Sequence, residues 1–234
     1  MKKNKLERIK NILICPQCGK INLKYTNNIV CASCKNVYSY NEMSYNFLNA
    51  EIIEYGKVRK TANISAHNYD SVALDIITKH ANGLVLDNGC GLRNTYYNNV
   101  VNFEIVDYPT TDVLGIGERL PFKDNSFDAL FSLNVLEHIR KPFESSAEML
   151  RVLKPGGELY VVAPFLQPFH GYPDHYYNMS SRGLENLFEN KINIIGKGVP
   201  KSGMPISALN WILNSYAKGL PPKTRGKFLK LRLE

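Results

Sequence analysis

Four short, mainly apolar runs recur through the middle of the chain, at Leu84 to Leu86, which is fully apolar, and at Phe103 to Val106, Phe127 to Leu133 and Leu159 to Ala163. Runs of this length without polar alternation suit parallel strands buried on both faces. Before and between them the apolar positions change to helical spacing. Tyr69, Val72, Ala73, Ile76 and Ile77 predict an amphipathic helix within 64–80, closed by Asn82 and Gly83. Another helix starts at Pro142, carries Phe143, Ala147 and Leu150 on one face, and stops at Lys154-Pro155-Gly156-Gly157. This alternation predicts an α/β fold with a doubly wound, mostly parallel sheet, Rossmann-like in type.

Both ends follow other patterns. Ile29 and Val30, Val37 and Tyr38, and Phe47 and Leu48 are strand-like pairs in a polar background, enough for a small ribbon. Towards the other end, Ser181 to Glu189 reads as a helix and Ile192 to Ile195 as a late strand. Pro205 to Ala217 reads as a helix that packs Ile206, Leu209, Ile212 and Leu213 against the sheet. The expected organisation is a ribbon over 1–50, the α/β domain over 51–217 and a basic, mobile tail over 218–234.

The chain has 234 residues, 44% of them hydrophobic, so it can build a real core and is not disordered. Its formal net charge of +8 invites a nucleic-acid partner, but the charge is uneven. Residues 1–60 hold 11 Lys/Arg against 4 Asp/Glu, residues 61–217 hold 12 against 16, and residues 218–234 hold 6 against 1. The basic balance belongs to the ends, including Lys2, Lys3, Lys5, Arg8 and Lys10 at the front and Lys223, Arg225, Lys227, Lys230 and Arg232 in the tail. No apolar run approaches the ~18 residues of a membrane span. The basic front is not followed by a signal-peptide core, so a cytoplasmic protein with reduced thiols is expected.

Four of the five cysteines fall into two pairs, Cys15 with Cys18 and Cys31 with Cys34. Each pair can form a tight turn that aims two thiolates at one point, and two such turns complete a tetrahedral sulfur cage suited to zinc. With every position filled by protein, such a zinc is structural. The segment from about Leu13 to Leu48 resembles the zinc ribbon of the activator partner of several translation-related methyltransferases. It also resembles the ribbon fronting bacterial large-subunit rRNA guanine methyltransferases, except that Cys34 stands where those enzymes use His.

Leu84 to Gly91, Glu118 to Phe131 (ERLPFKDNSFDALF), Asn134 to His138 (NVLEH) and Leu150 to Pro164 (LRVLKPGGELYVVAP) resemble the class I S-adenosylmethionine-dependent methyltransferases of the ubiquinone-pathway type. The resemblance implies that Asp87, Gly89 and Gly91 surround the methionine and ribose portion of the cofactor. It implies that Glu104 accepts the ribose hydroxyls, with Asp107 in reserve. Ser132, Asn134 and Leu136 would flank the sulfonium. Two positions depart from the family pattern. The third loop glycine is replaced near Leu92-Arg93, and the aspartate that reads the adenine amino group is replaced by Ile116, leaving apolar contact there. Cys90, between the loop glycines, reads as a packing residue.

Methyl transfer to a hydroxyl also needs a group that takes the proton. The loop Pro168-Phe169-His170-Gly171-Tyr172-Pro173-Asp174-His175-Tyr176-Tyr177 offers one just past the last strand, rich in aromatic walls for an acceptor. His170 is the expected base, His175 the second candidate, and Asp174 the orienting carboxylate. Three functions follow. One is a methyltransferase for a small-molecule or saccharide hydroxyl. Another is an rRNA or tRNA base methyltransferase whose ribbon and basic ends grip RNA. The third is a non-catalytic cofactor-binding adaptor, motivated by Ile116 and the altered loop.

Overall fold

Strand β5 (Val85–Asn88) is buried at all four positions and is the middle strand of the parallel part of the sheet. In the computed structural model, which describes residues 2–41, 43–59, 61, 64–171, 173–189 and 191–231, it lies between β6 (Val100–Glu104) and β8 (Phe127–Leu133). Leu86 sits level with Val101 on one side and Leu130 on the other, both pairings parallel. Strand β7 (Val113–Leu114) continues the sheet beyond β6, and β9 (Leu153–Val162) beyond β8. The order β7-β6-β5-β8-β9 reverses direction at β5, and in such sheets ligands bind beyond the carboxyl ends of the strands at that point. Tyr172 of the aromatic loop and Arg232 of the tail lie outside the described residues.

The ribbon is built from β1 (Leu23–Tyr25), β2 (Asn28–Cys31), β3 (Val37–Asn41) and β4 (Ser44–Asn46), paired antiparallel in sequence order. It does not stand apart. β4 pairs in parallel with β7, Tyr45 level with Val113 and Asn46 with Leu114, so all nine strands form one sheet. Tyr38, Tyr45 and Phe47 share one core with Leu86, Phe103 and Phe122.

Helix α1 (Lys2–Lys10) turns part of the basic front into the fold. Leu6 and Ile9 are buried, and so is Lys5, only 3% exposed. Its ammonium pairs with Asp112 at 2.6 Å, donates to the carbonyls of Val100 and Tyr97, and sits 3.6 Å from the centre of the Tyr96 ring. Lys2 donates to the carbonyls of Pro109 and Thr111, and Arg8 to that of Gly83. These cations tie the front of the chain to the α/β body.

Helix α2 (Ala50–Gly56) follows the ribbon, capped by the Asn49 side chain, which accepts from the backbone of Ile52. Helix α3 (Ser71–Lys79) is capped in the same way by Asp70 and buries Ala73 and Ile77 on β5 and β8. Helix α4 (Pro142–Val152) begins at its predicted proline. Pro155, Gly156 and Gly157 lie within β9 and not in a loop, at a register shift opposite Phe127 and Ala129.

The last part of the chain differs from expectation. After α5 (Ser181–Asn186), Ile192, Ile194 and Ile195 form no strand and are exposed, Ile195 by 94%. Helix α6 (Pro205–Gly219) does not lay its apolar face on the sheet: Ile206, Leu209, Ile212 and Tyr216 are exposed, and only Ala208 and Ala217 are buried. The basic tail is not extended. It forms α7 (Pro222–Phe228), whose Arg225 donates to the carbonyls of Ala217, Lys218 and Leu220 at the end of α6. No helix among the described residues is long and apolar enough to cross a membrane.

Candidate active site

A cleft opens beyond the carboxyl ends of β5 to β8, lined by Asn88, Gly89, Glu104, Gly115 to Glu118, Asn134 and His138. Its opposing wall is made by Lys57, Val58 and Ser65 after α2, and by Pro173, Asp174 and Tyr176. The first loop can approach a ligand closely because it carries no side chains where it turns. Gly89 has φ +79°, and a Cβ there would lie 2.5 Å from Val135; Gly91 has φ +59°, and a Cβ there would lie 2.5 Å from the carbonyl oxygen of Ser65.

The Glu104 carboxylate accepts from the backbone N–H of Gly91 at 2.8 Å and of Ile105 at 2.7 Å, which fixes its orientation at the cleft wall. Burial pushes this carboxyl above its ordinary value, opposed by the backbone N–H groups around it. Asn88 Nδ2 is buried at the lining without a hydrogen-bond partner among the described residues, and Ser132 Oγ is likewise unpartnered. Ile116 is buried and packs within reach of Gly56.

Of the residues expected around a cofactor, Gly89, Glu104, Ile116 and Asn134 line the cleft, whereas Asp87, Gly91 and Ser132 are not among its lining residues. Asp87 is fully buried and engaged by Arg93, the residue at the position of the missing third glycine, and by the hydroxyl of Tyr69. Asp107 instead accepts from Ser44 on the ribbon. Cys90 is buried, which pushes its thiol well above the ordinary value, as suits a packing residue.

The loop after β9 brings three histidines together. The His138 ring lies 5.1 Å from that of His170 and 5.8 Å from that of His175, with 4.4 Å between the last two. His138 faces the cleft; His170 and His175 stand behind it. The Asp174 carboxylate does not orient either loop histidine: it pairs with Arg59 at 2.8 Å, while its carbonyl meets His138 Nδ1. His175 instead sits between the backbone N–H of His170 and the Asn178 side chain. Sequence reasoning passed over Glu137, which is fully buried against His138 and His170, although it lies inside the Asn134 to His138 motif. It also missed the wall formed by Lys57, Val58, Thr61 and Ser65, where no residue type announces a ligand.

The four ribbon cysteines converge. The sulfurs of Cys15 and Cys34 are 3.6 Å apart, as are those of Cys18 and Cys31, and all four lie within 4.8 Å of one another. Each turn is closed by a backbone bond to the first cysteine carbonyl, from Gly19 and from Lys35, both with positive φ. Burial pushes the Cys15 thiol up to about 12. Cys34, against the same effect, is held down to about 6 by the N–H groups of Asn36. The donor set and its spacing fit a single soft cation.

Residues 86–161 match the family model described as a methyltransferase domain. A demethylmenaquinone methyltransferase of Renibacterium salmoninarum is 49% identical over 59 residues, covering 25% of this chain and 24% of the relative. An uncharacterized methyltransferase of Mycobacterium marinum is 43% identical over 65 residues, covering 27% and 26%. The chain thus spans about a quarter of the length of these curated relatives. Among solved structures, the YcgJ protein of Bacillus subtilis aligns over 67% of this chain and 87% of its own, with 17% identity and a TM-score of 0.42, a likeness too loose to bear on function. The segment 86–161 is thus similar to methyltransferase domains, and it lies on a mostly parallel sheet of the Rossmann-like type.

Proposed function

We propose that the chain transfers a methyl group from S-adenosylmethionine to a hydroxyl of a small molecule or saccharide, with a structural zinc in its four-cysteine cage. The observation that carries this reading is one cleft lined both by Glu104 with the side-chain-free Gly89 turn and by His138 of the histidine cluster.

The residues fit the cofactor: the Asn88 amide is an unengaged donor at the wall, beside the Gly89 turn that lines the same cleft. Glu104, with two acceptor oxygens held in place by backbone N–H groups, takes the ribose hydroxyls. Ile116 offers the adenine an apolar face. When bound, S-adenosylmethionine supplies an electrophilic methyl group on a sulfonium. The chain's part is then to align the acceptor, exclude water and draw off the hydroxyl proton. The side chain that faces that hydroxyl at the cleft is His138, with Glu137 and His170 behind it.

Calorimetry with S-adenosylmethionine or its demethylated product tests cofactor binding, with micromolar affinity expected. Transfer of labelled methyl into fractionated cell extract then identifies the acceptor, and label in RNA would replace the hydroxyl reading. Against the RNA alternative, Lys2, Lys5 and Arg8 of the basic front are engaged within the fold. The adaptor reading is favoured by Arg93 and Ile116 at two family positions. Cofactor binding without transfer of label to any fraction would establish it.

A further inference from the structure

The Glu137 carboxylate is 0% exposed, and among the described residues neither of its oxygens has a hydrogen-bond partner. A buried carboxyl without partners is rare in folded proteins, and it points to a group that completes it, such as an ion or a water. Facing its Oε1 are Nε2 of His138 at 3.7 Å and Nε2 of His170 at 4.0 Å, beyond direct hydrogen-bonding distance. The three donor atoms lie within 4.8 Å of one another.

Both rings are turned the same way. His138 Nδ1 meets the carbonyl of Asp174 at 2.5 Å, and His170 Nδ1 meets the carbonyl of Pro168 at 2.9 Å. A carbonyl only accepts, so each Nδ1 donates, and in the neutral ring Nε2 carries the lone pair. Two lone-pair nitrogens and one carboxylate oxygen converge, and each ring's outer N–H is fixed by a backbone carbonyl. Metal-ligating histidines are held in this way. Ligand atoms each about 2.0–2.2 Å from an ion stand up to about 4 Å apart, so the observed gaps accommodate a cation with little movement.

We propose that Glu137, His138 and His170 bind a divalent transition-metal cation at a site distinct from the four-cysteine cage. Two imidazoles and one carboxylate favour zinc, iron, manganese or cobalt over calcium or magnesium, which prefer all-oxygen sites. Three protein donors leave coordination positions open, and His138 places them beside the cleft. An acceptor hydroxyl bound there becomes more acidic and gives its proton to solvent more readily. That role rests on the proposed methyl transfer; the binding of the cation does not.

The test uses the full chain with zinc in the cysteine cage, cleared of weakly held metal by a mild chelator and titrated with cobalt(II). One further equivalent is expected, at micromolar affinity, with weak visible bands and no thiolate-to-metal charge transfer. Glu137→Gln and His170→Ala are each expected to weaken it about tenfold to a hundredfold, while circular dichroism and binding of the demethylated cofactor stay near wild type. No cobalt beyond the cage, or uptake unchanged in both variants, overturns the proposal. Should the variants fail to fold, X-ray absorption on the cobalt-loaded wild type decides: nitrogen and oxygen ligands including two imidazoles support the site, and sulfur ligands alone refute it. Cofactor binding without cation binding removes this proposal and leaves the methyltransferase reading intact. Cation binding without cofactor binding does the reverse.

Discussion

Arg93 holds Asp87 through two hydrogen bonds, Nε to Oδ2 at 2.8 Å and Nη2 to Oδ1 at 3.1 Å, with neither side chain more than 4% exposed. The Tyr69 hydroxyl donates to the same carboxylate, and its ring lies 4.2 Å from the guanidinium. A third Arg93 nitrogen reaches the carbonyl of His67. The residue that replaces a glycine of the first loop therefore clamps that loop to the segment leading into α3.

Arg93→Ala should cost about 3–5 kcal/mol of stability, because it leaves a buried carboxylate without its cation. Arg93→Gly should do the same, because glycine supplies no cation either. Urea denaturation measures both, and a loss below about 1 kcal/mol would show that Asp87 finds other compensation.

Glu104→Gln should weaken binding of the demethylated cofactor about tenfold to a hundredfold, from the loss of hydrogen bonds to a charged acceptor. It should also change the pH dependence of stability. The folded-state carboxyl is raised above 4.5 by burial, so its favourable contribution is complete below 4.5 and is lost as pH rises through the raised value. The stability of the variant relative to wild type should therefore improve on going from pH 5 to pH 7. Urea midpoints at the two pH values check the sign, and a shift the other way would rule out a raised carboxyl.

Lys5→Met should destabilise the chain by about 3 kcal/mol, since Asp112 would lose its buried ammonium. The effect should hardly change between low and high salt, because a pair at 1% and 0% side-chain exposure is poorly screened. Thermal melts of variant and wild type at two ionic strengths provide the comparison. An equal loss for Lys3→Met, on the same helix but exposed, would contradict the argument.

Cys15→Ser and Cys31→Ser should each abolish zinc uptake by the cage and the charge-transfer absorption of its cobalt form. Elemental analysis and visible spectra give the readout. A zinc-free wild type with an unchanged melting temperature would end the structural-zinc reading.

Some of this was legible in the chain because the physics is local. Phe127 to Leu133 is a strand at its predicted bounds, and the cysteine pairs converge because each turn needs only a few neighbouring residues. Gly89 and Glu104 were found through a motif whose backbone demands are short-range. Lys5 was misread because a charge count does not record burial. The isoleucines 192, 194 and 195 were misread because apolar alternation makes a strand only where a partner edge accepts it. The joining of β4 to β7 and the meeting of Glu137 with His170 link residues far apart in sequence, which no local pattern records.

The parallel pairing of β4 with β7 has a consequence for metal-free protein. The backbone N–H groups of Tyr45 and Phe47 donate to the carbonyls of Asp112 and Leu114. If the ribbon detached, β7 would present an uncovered row of such groups, a ready template for another chain. On the structural-zinc reading, oxidative damage to the cage that freed the ribbon would expose this edge, and aggregation is the expected first sign.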